Sequence, residues 1–244
     1  MDRLSNSDLS TLIALRRDLH ARPEVSGAEE ETAARIADVL SGIGADQVVT
    51  DLGGHGVAGV FVGAAPGPTV LLRCELDALP IEEVGTPDWR STVPGTGHLC
   101  GHDGHMVTML GVGQMLARTR PAKGRVVLMF QPAEEDGSGA IAVCDDPAYA
   151  PLTPDWAFAQ HNEPEIPRGV AHVPVGLASA PSVGLRVAIT GVEAHACAPE
   201  DGLSPAVAMA DLMTELPALS RGPFPADDFR LVTLTHARLG EPAF

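Results

Sequence analysis

The sequence has few positive charges and no long apolar run. Only 16 of its 244 residues are Lys or Arg, against 32 Asp or Glu, and the formal net charge is −16. An acidic surface repels phosphate backbones and anionic lipid headgroups, so neither a nucleic acid nor a membrane is an expected partner. No apolar run approaches the ~18 residues that a membrane helix needs, and residues 1–18 lack the apolar core of a signal peptide.

Cysteine is also scarce, and its few positions show no paired spacing. They are Cys74, Cys100, Cys144 and Cys197. In a chain of this length, that pattern indicates reduced thiols in a cytoplasmic protein and argues against a disulfide framework.

Two common motifs are missing as well. The sequence contains no GxxxxGK loop followed by Ser or Thr, and Gly137-Ser138-Gly139 lacks the nucleophile-elbow pattern. These absences exclude kinases, nucleotide-binding proteins and serine hydrolases.

The spacing of apolar residues predicts three helices in the first half of the chain. The first covers residues 8–20 and the third covers 107–118. Ser26 with Glu29 forms a capping box that predicts the start of the second helix. The run Glu29-Glu30-Glu31 is interpreted as an exposed face of that helix.

Short apolar runs before and after the third helix predict strands. They cover 47–50, 57–62, 70–74, 126–130 and 156–160. The last two are continuous runs, typical of strands buried on both faces. Alternation of helices with buried strands predicts an α/β fold with a mainly parallel sheet flanked by helices.

After about Ser179 the pattern changes. Residues 183–190 and 231–239 alternate like strands, and a helix is predicted between them at 205–216. This order indicates the beginning of a small α+β unit. We therefore predict two domains, residues 1–179 and residues 180–244.

The densest group of potential metal ligands lies in residues 98–105. The five are His98, Cys100, His102, Asp103 and His105. In extended backbone, residues one apart project to the same side, so Cys100 and His102 can reach one ion. Gly101 and Gly104 permit close approach and a turn into the following helix. The alternative is a polar loop with incidental histidines.

Three further polar clusters follow apolar runs: Glu75-Leu76-Asp77, Glu134-Glu135-Asp136 and Gln160-His161-Asn162. All four clusters are expected just after strands, whose carboxyl ends share one edge in a parallel sheet. One of two adjacent glutamates can bind a divalent ion, while the other takes a proton from water that the ion has made acidic. This convergence predicts a two-metal hydrolytic site. For any one of these clusters considered alone, the alternative is a solvated loop or a structural histidine.

Six segments, in one order along almost the whole chain, carry a family resemblance. They are residues 16–20 with Pro23 and Glu24, 75–80, 98–105, 130–135, 161–162 with Pro164 and Gly169, and 191–196 with Pro199. These segments resemble the aminoacylase/carboxypeptidase-type dimetal metallopeptidases, in the branch of hippurate hydrolases and indoleacetyl-amino-acid hydrolases. The resemblance implies an amidohydrolase that cleaves N-acyl amino acids or similar small amides.

The resemblance also implies the roles of individual residues. Two divalent ions (manganese, zinc, cobalt or nickel) are expected on four ligands: Cys100, His102, Glu135 and His161. Glu134 is the expected general base, acting on a metal-bound water. Asp77 matches a supporting carboxylate, whereas Glu75 stands where other branches place a histidine ligand and is left out of the metal set.

The second domain matches the first part of a lid domain inserted in the catalytic domain. His195 matches the lid histidine that, in dimeric members, reaches the partner's active site and polarises the substrate carbonyl. The resemblance thus implies residues 1–179 as the N-terminal portion of a catalytic domain, and residues 180–244 as a partial lid through which a homodimer would form. Because the family continues beyond this point and supplies a last histidine ligand, we expect a C-terminally truncated chain.

Two alternatives belong to other classes. One is a non-catalytic fragment that keeps the fold and partial metal binding. The other is a cysteine hydrolase in which Cys100 is the nucleophile and His161 the base. The second alternative leaves Glu134 and Glu135 without a role.

Overall fold

The computed structural model describes residues 3–240, so the last four residues of the predicted second domain lie outside the described part. The chain forms two compact units, Met1–Pro167 and Arg168–Phe244. The assignment of residues 1–179 and 180–244 to a catalytic and a lid domain stays a prediction.

Nine helices and strands build the described part of the first unit, apart from one short 3-10 turn. In chain order they are α1 (Asn6–Ala21), α2 (Glu30–Gly42), β1 (Gln47–Leu52), β2 (Gly56–Val62), β3 (Thr69–Glu75), α3 (His102–Arg118), β4 (Arg125–Gln131), α4 (Gly139–Asp145) and β5 (Trp156–Ala159). The α/β class predicted from the sequence is confirmed.

The five strands form one sheet in the order β1-β2-β4-β3-β5. β3 runs parallel to both β4 and β5, as predicted. The sheet is mixed, however, because β1–β2 and β2–β4 are antiparallel pairs. The short link between β1 and β2 allows only an antiparallel pair, since a parallel one needs a crossover of a dozen or more residues. The parallel half of the sheet carries the candidate site.

Alternate residues of the central strands bury two apolar clusters, one on each face of the sheet. Phe61 and Leu128 pack on one face with residues of α1, α2 and α3, including Leu110. Val60 and Met129 face the other way, towards α4 and the turn that follows it. Period-two alternation therefore explains how short strands hold helices on both sides.

The prediction of a fully buried strand at 156–160 is wrong. All four residues of β5 are exposed, with Trp156 at 64% and Phe158 at 57%. Within the described residues β5 pairs with β3 alone, so it is an edge strand. An apolar run shows that a strand can be buried, but it does not show that anything covers it.

The predicted capping box of α2 is also wrong. Glu29 is the N-cap residue, but its side chain makes no capping bond. Ser26 instead donates its hydroxyl to Asp77, 2.7 Å away. The start of α2 is capped by the Glu24 carboxylate, which accepts the Thr32 amide at 2.7 Å. A carboxylate from the preceding turn satisfies the same free amides that a capping box would.

In the second unit, helix α5 (Ala206–Ala218) confirms the helix predicted at 205–216. The predicted strands at 183–190 and 231–239 form no ladder within residues 168–240. The bridges there are isolated, at Val192–Leu203 and Arg221–Arg230. Alternation supplies two faces, but a strand also needs a hydrogen-bonded neighbour. None of the described helices is both long and apolar enough to cross a membrane.

Candidate metal centre

Three predicted site segments leave neighbouring parallel strands at one edge of the sheet. Asp77 follows β3, the Glu134-Glu135 pair follows β4, and His161 follows β5. The fourth segment was expected to follow a strand as well, and that expectation is wrong. Residues 76–101, all of them described, contain no strand, and the segment leads directly into α3.

Helix α3 begins at His102, five residues before its predicted start. The preceding Gly101 has a left-handed φ of 95°, and a Cβ there would lie 2.4 Å from the side-chain oxygen of Asn162. Only glycine fits this turn. The prediction that Cys100 and His102 share a side of extended backbone therefore fails, because the chain turns between them. The turn nevertheless brings both ligand atoms to within 4.8 Å of each other and of a His161 ring nitrogen.

The His102 ring is buried and held by the backbone of the β3 segment. Its Nδ1 donates to the Asp77 carbonyl oxygen at 2.8 Å. In the neutral ring Nε2 then carries the lone pair, and it lies 3.7 Å from Glu135 Oε1 and 3.8 Å from Glu134 Oε2. A ring fixed by Nδ1 with a free Nε2 is the usual state of a metal-binding histidine.

His161 shows the same arrangement on the other side of the group. Its Nδ1 donates to the Asn162 carbonyl oxygen at 2.7 Å, and its Nε2 lies 3.3 Å from Cys100 Sγ. Two clusters result: Cys100, His102 and His161 form one, and His102, Glu134 and Glu135 form the other. Because His102 belongs to both, the two clusters adjoin.

Two buried atoms of this group lack the hydrogen-bond partners that buried polar atoms normally have. Within residues 3–240, neither His102 Nε2 nor Glu135 Oε1 has one, although they face each other. A divalent cation would satisfy both atoms. Thiolate, imidazole and carboxylate are also ligands that zinc and related ions accept. The residues present therefore fit a metal centre.

The electrostatic environment of the group also favours a bound cation. Burial, together with the neighbouring Glu135 and Glu134 carboxylates, raises the pKa of Cys100 to about 12. Burial also raises the pKa of Glu135, and the charge of Glu134 adds to this effect. The group thus crowds acidic side chains together, and a bound cation would stabilise their ionised forms. The 3.3 Å contact with His161 suits a thiol nucleophile, but the raised pKa of Cys100 disfavours the thiolate that such a nucleophile needs.

Asp77 supports two of the predicted ligands at once. Its carbonyl accepts from His102, and its Oδ2 accepts from the Glu135 amide at 2.9 Å and from the Ser26 hydroxyl. Burial alone would raise the pKa of Asp77, but hydrogen bonds from His102, Glu135 and Ser26 outweigh it, and the pKa is lowered. Asp77 is thus held as an anion between two candidate ligands.

We expect Asp77→Asn to weaken divalent-metal binding about 10- to 100-fold, as loss of an outer partner of a ligand does. The asparagine side chain would present either an NH₂ donor or an uncharged oxygen to the Glu135 backbone amide and the Ser26 hydroxyl. Titration calorimetry with zinc or manganese measures the change, with Asp88→Asn at an exposed position as the matched control. Equal affinities for the two variants would contradict the assignment.

The other three potential ligands of the 98–105 segment, His98, Asp103 and His105, lie in different surroundings. Asp103 accepts from Arg16 at 2.6 Å and from His20 at 2.8 Å. The His98 ring is buried, which lowers its pKa to about 4. Neither residue joins a candidate metal group among the described residues.

His105 packs beneath the group and does not enter it. Its Nδ1 lies 2.8 Å from Glu75 Oε2, and its Nε2 lies 2.6 Å from Asn162 Oδ1. Glu75 also pairs with Arg73. Glu75, His102 and His105 are close enough to form a third potential group. Both oxygens of Glu75 already have partners, however, which agrees with leaving Glu75 out of the metal set.

His195 lies in the second unit, which is described by itself. Its side chain is exposed, and its Nδ1 accepts the Cys197 amide at 3.1 Å. Its role in catalysis stays a prediction.

One buried carboxylate that contacts the loop before Glu134 was not predicted from the sequence. The interpretation of Glu29 as part of an exposed face is wrong, because Glu29 is completely buried while Glu30 and Glu31 are exposed. Glu29 lies four residues before the buried Ala33, on the helical face that α2 turns inward. That spacing was the available signal.

Together, the fold and the group define an α/β protein with a candidate dinuclear metal centre at the carboxyl edge of its parallel strands. Comparison with known proteins goes further. The profile of peptidase family M20/M25/M40 matches residues 71–242, and the chain belongs to this family. The resemblance inferred from the sequence motifs is confirmed.

Two relatives with named activities match most of this chain. The N-acetyl-L-cysteine deacetylase of Bacillus subtilis is 37% identical over 206 residues, covering 84% of this chain and 49% of the relative. The N-acetyldiaminopimelate deacetylase of Listeria monocytogenes is 35% identical over 192 residues, covering 78% and 51%. This chain therefore spans about half the length of these relatives.

A solved structure agrees with the fold. The YXEP protein of Bacillus subtilis, described as a dinuclear metal binding peptidase from the M20 family, superposes with a TM-score of 0.63 at 35% identity. The match covers 67% of this chain and 45% of that one.

Proposed function

We propose that this protein is a metal-dependent amidohydrolase that cleaves the amide bond of N-acyl amino acids or similar small amides. The observation that carries the proposal is the pair of buried, facing atoms, His102 Nε2 and Glu135 Oε1, that have no hydrogen-bond partner within residues 3–240. Beside them Glu134 offers a second carboxylate. Two relatives named as deacetylases of N-acetylated amino acids support the substrate class.

In this proposal four residues bind the metal ions and a fifth transfers a proton. Cys100, His102, Glu135 and His161 would hold two divalent ions, which when bound acidify water and polarise a carbonyl oxygen. Glu134 is 37% exposed on its side chain and reaches the same space as His102. It would accept the proton of the attacking water and return it to the leaving amine.

Further parts of the proposal rest on the family resemblance. His195, supplied by the partner of a homodimer, would donate a hydrogen bond to the developing oxyanion. The thiol and imidazole ligands suit zinc, and the carboxylates also accept manganese, cobalt or nickel. We place the protein in the cytoplasm, in agreement with its unpaired cysteines.

Amine release from a panel of N-acetyl amino acids tests the proposal, measured before chelation, after it, and after metal is restored. We expect hydrolysis that disappears with the chelator and returns with the metal. Hydrolysis that survives chelation but ends on thiol alkylation would favour the Cys100 nucleophile instead. Metal binding without any hydrolysis would favour the non-catalytic alternative.

A further inference from the structure

A buried carboxylate from another part of the chain touches the loop that carries the proposed base. Glu29, at the start of α2, has no exposed surface, and its Oε1 accepts the Ala133 amide at 2.7 Å across 104 residues of sequence. Among the described residues its Oε2 has no hydrogen-bond partner. Burying a carboxylate costs free energy unless it is well paired, so this contact calls for an explanation.

The contacted residue holds a bend immediately before Glu134. Ala133 has a φ of 45°, in the left-handed region that residues with a side chain rarely adopt. Its carbonyl accepts the Gly139 amide at 2.9 Å. Such a conformation persists only where its surroundings enforce it. Glu29 supplies the bond on the amide side of the bend.

On the other side of Glu134 a second carboxylate holds the chain. Asp77 Oδ2 accepts the Glu135 amide at 2.9 Å. Glu134 therefore lies between two anchored neighbours, and its own carboxylate lies 3.8 Å from His102, beyond hydrogen-bond distance. The direction of the Glu134 side chain thus depends on how its backbone is held.

We infer that Glu29 is a positioning residue: its carboxylate fixes the bend at Ala133 and so directs Glu134 at the reacting water. The catalytic meaning of this inference rests on the proposed function. Because Glu135 is held separately by Asp77, loss of the Glu29 bond should disturb the base more than the metal ligands.

The paired variants Glu29→Asp and Glu29→Gln separate reach from charge. Asp keeps the charge but withdraws the carboxylate by one methylene, whereas Gln keeps an acceptor oxygen at the same reach. We expect Glu29→Asp to speed amide hydrogen exchange in residues 131–137 about tenfold or more. Misplacing the base should lower kcat about 10- to 100-fold, with KM and zinc affinity within about threefold of wild type. Glu29→Gln should retain most of both properties.

Glu30→Asp, one residue along and exposed, is the matched control and should change neither exchange nor kcat. The inference is overturned if Glu29→Asp leaves exchange unchanged, if Glu29→Gln is as impaired as Glu29→Asp, or if kcat falls only in proportion to lost metal. Failure of the proposed function is distinguishable: Glu134→Gln would then keep turnover, while the exchange measurement still decides whether Glu29 holds the loop.

Discussion

Glu134→Gln is expected to lower kcat for an N-acetyl amino acid about 10²- to 10⁴-fold, the range that a general base contributes. The amide has nearly the shape of the carboxylate but cannot accept the proton of the attacking water. Glu134 is proposed to move a proton and not to hold an ion, so zinc affinity by calorimetry should stay close to that of wild type. Steady-state kinetics and calorimetry on the same preparation measure both quantities.

Two neighbouring substitutions make this result specific. Glu135→Gln should weaken metal binding, because Glu135 Oε1 is an unpartnered atom facing His102 within the described part of the chain. Asp136→Asn, at an exposed position, should leave both kcat and affinity unchanged. Turnover by Glu134→Gln within about tenfold of wild type would remove Glu134 from the mechanism.

Local sequence patterns predict the helices and strands, and the parallel topology predicts which residues meet at the edge of the sheet. Apolar runs predict all five strands, and the rule that parallel strands gather their carboxyl ends brings Asp77, Glu135 and His161 together. The exposure of β5 could not be predicted in this way. Burial depends on what lies against a strand, and the residues of the strand do not encode that.

Residues that act through distant contacts were the hardest to predict. Ser26 has the type and spacing of a capping residue, but its hydroxyl donates a hydrogen bond to the carboxylate of Asp77, 51 residues away. The left-handed turn at Gly101 ends the alternation on which the Cys100–His102 argument rested. The same segment also supplies Asp103 and His105, whose partners lie on other elements. The structure was therefore needed to distinguish the candidate metal ligands from the residues that hydrogen-bond to other elements.

His102→Ala is expected to weaken divalent-metal binding by at least about 100-fold, more than the loss of an outer partner costs. Among the described residues, His102 alone belongs both to the cluster that contains Cys100 and to the cluster that contains Glu135, so its removal should affect both ion positions. Calorimetry should therefore show a lower affinity and also a reduced number of ions bound. His172→Ala, exposed in the second unit, is the matched control.

Cys100→Ser distinguishes a shared ligand from a ligand of one position. It affects one cluster and leaves no buried carbonyl without its donor, whereas His102→Ala also frees the Asp77 carbonyl. We therefore expect Cys100→Ser to fold like wild type and to lose affinity at one position. Cys144→Ser, at an exposed position of α4, should lose none. If a folded His102→Ala variant, checked by circular dichroism, bound two ions as tightly as wild type, the proposed centre would be wrong.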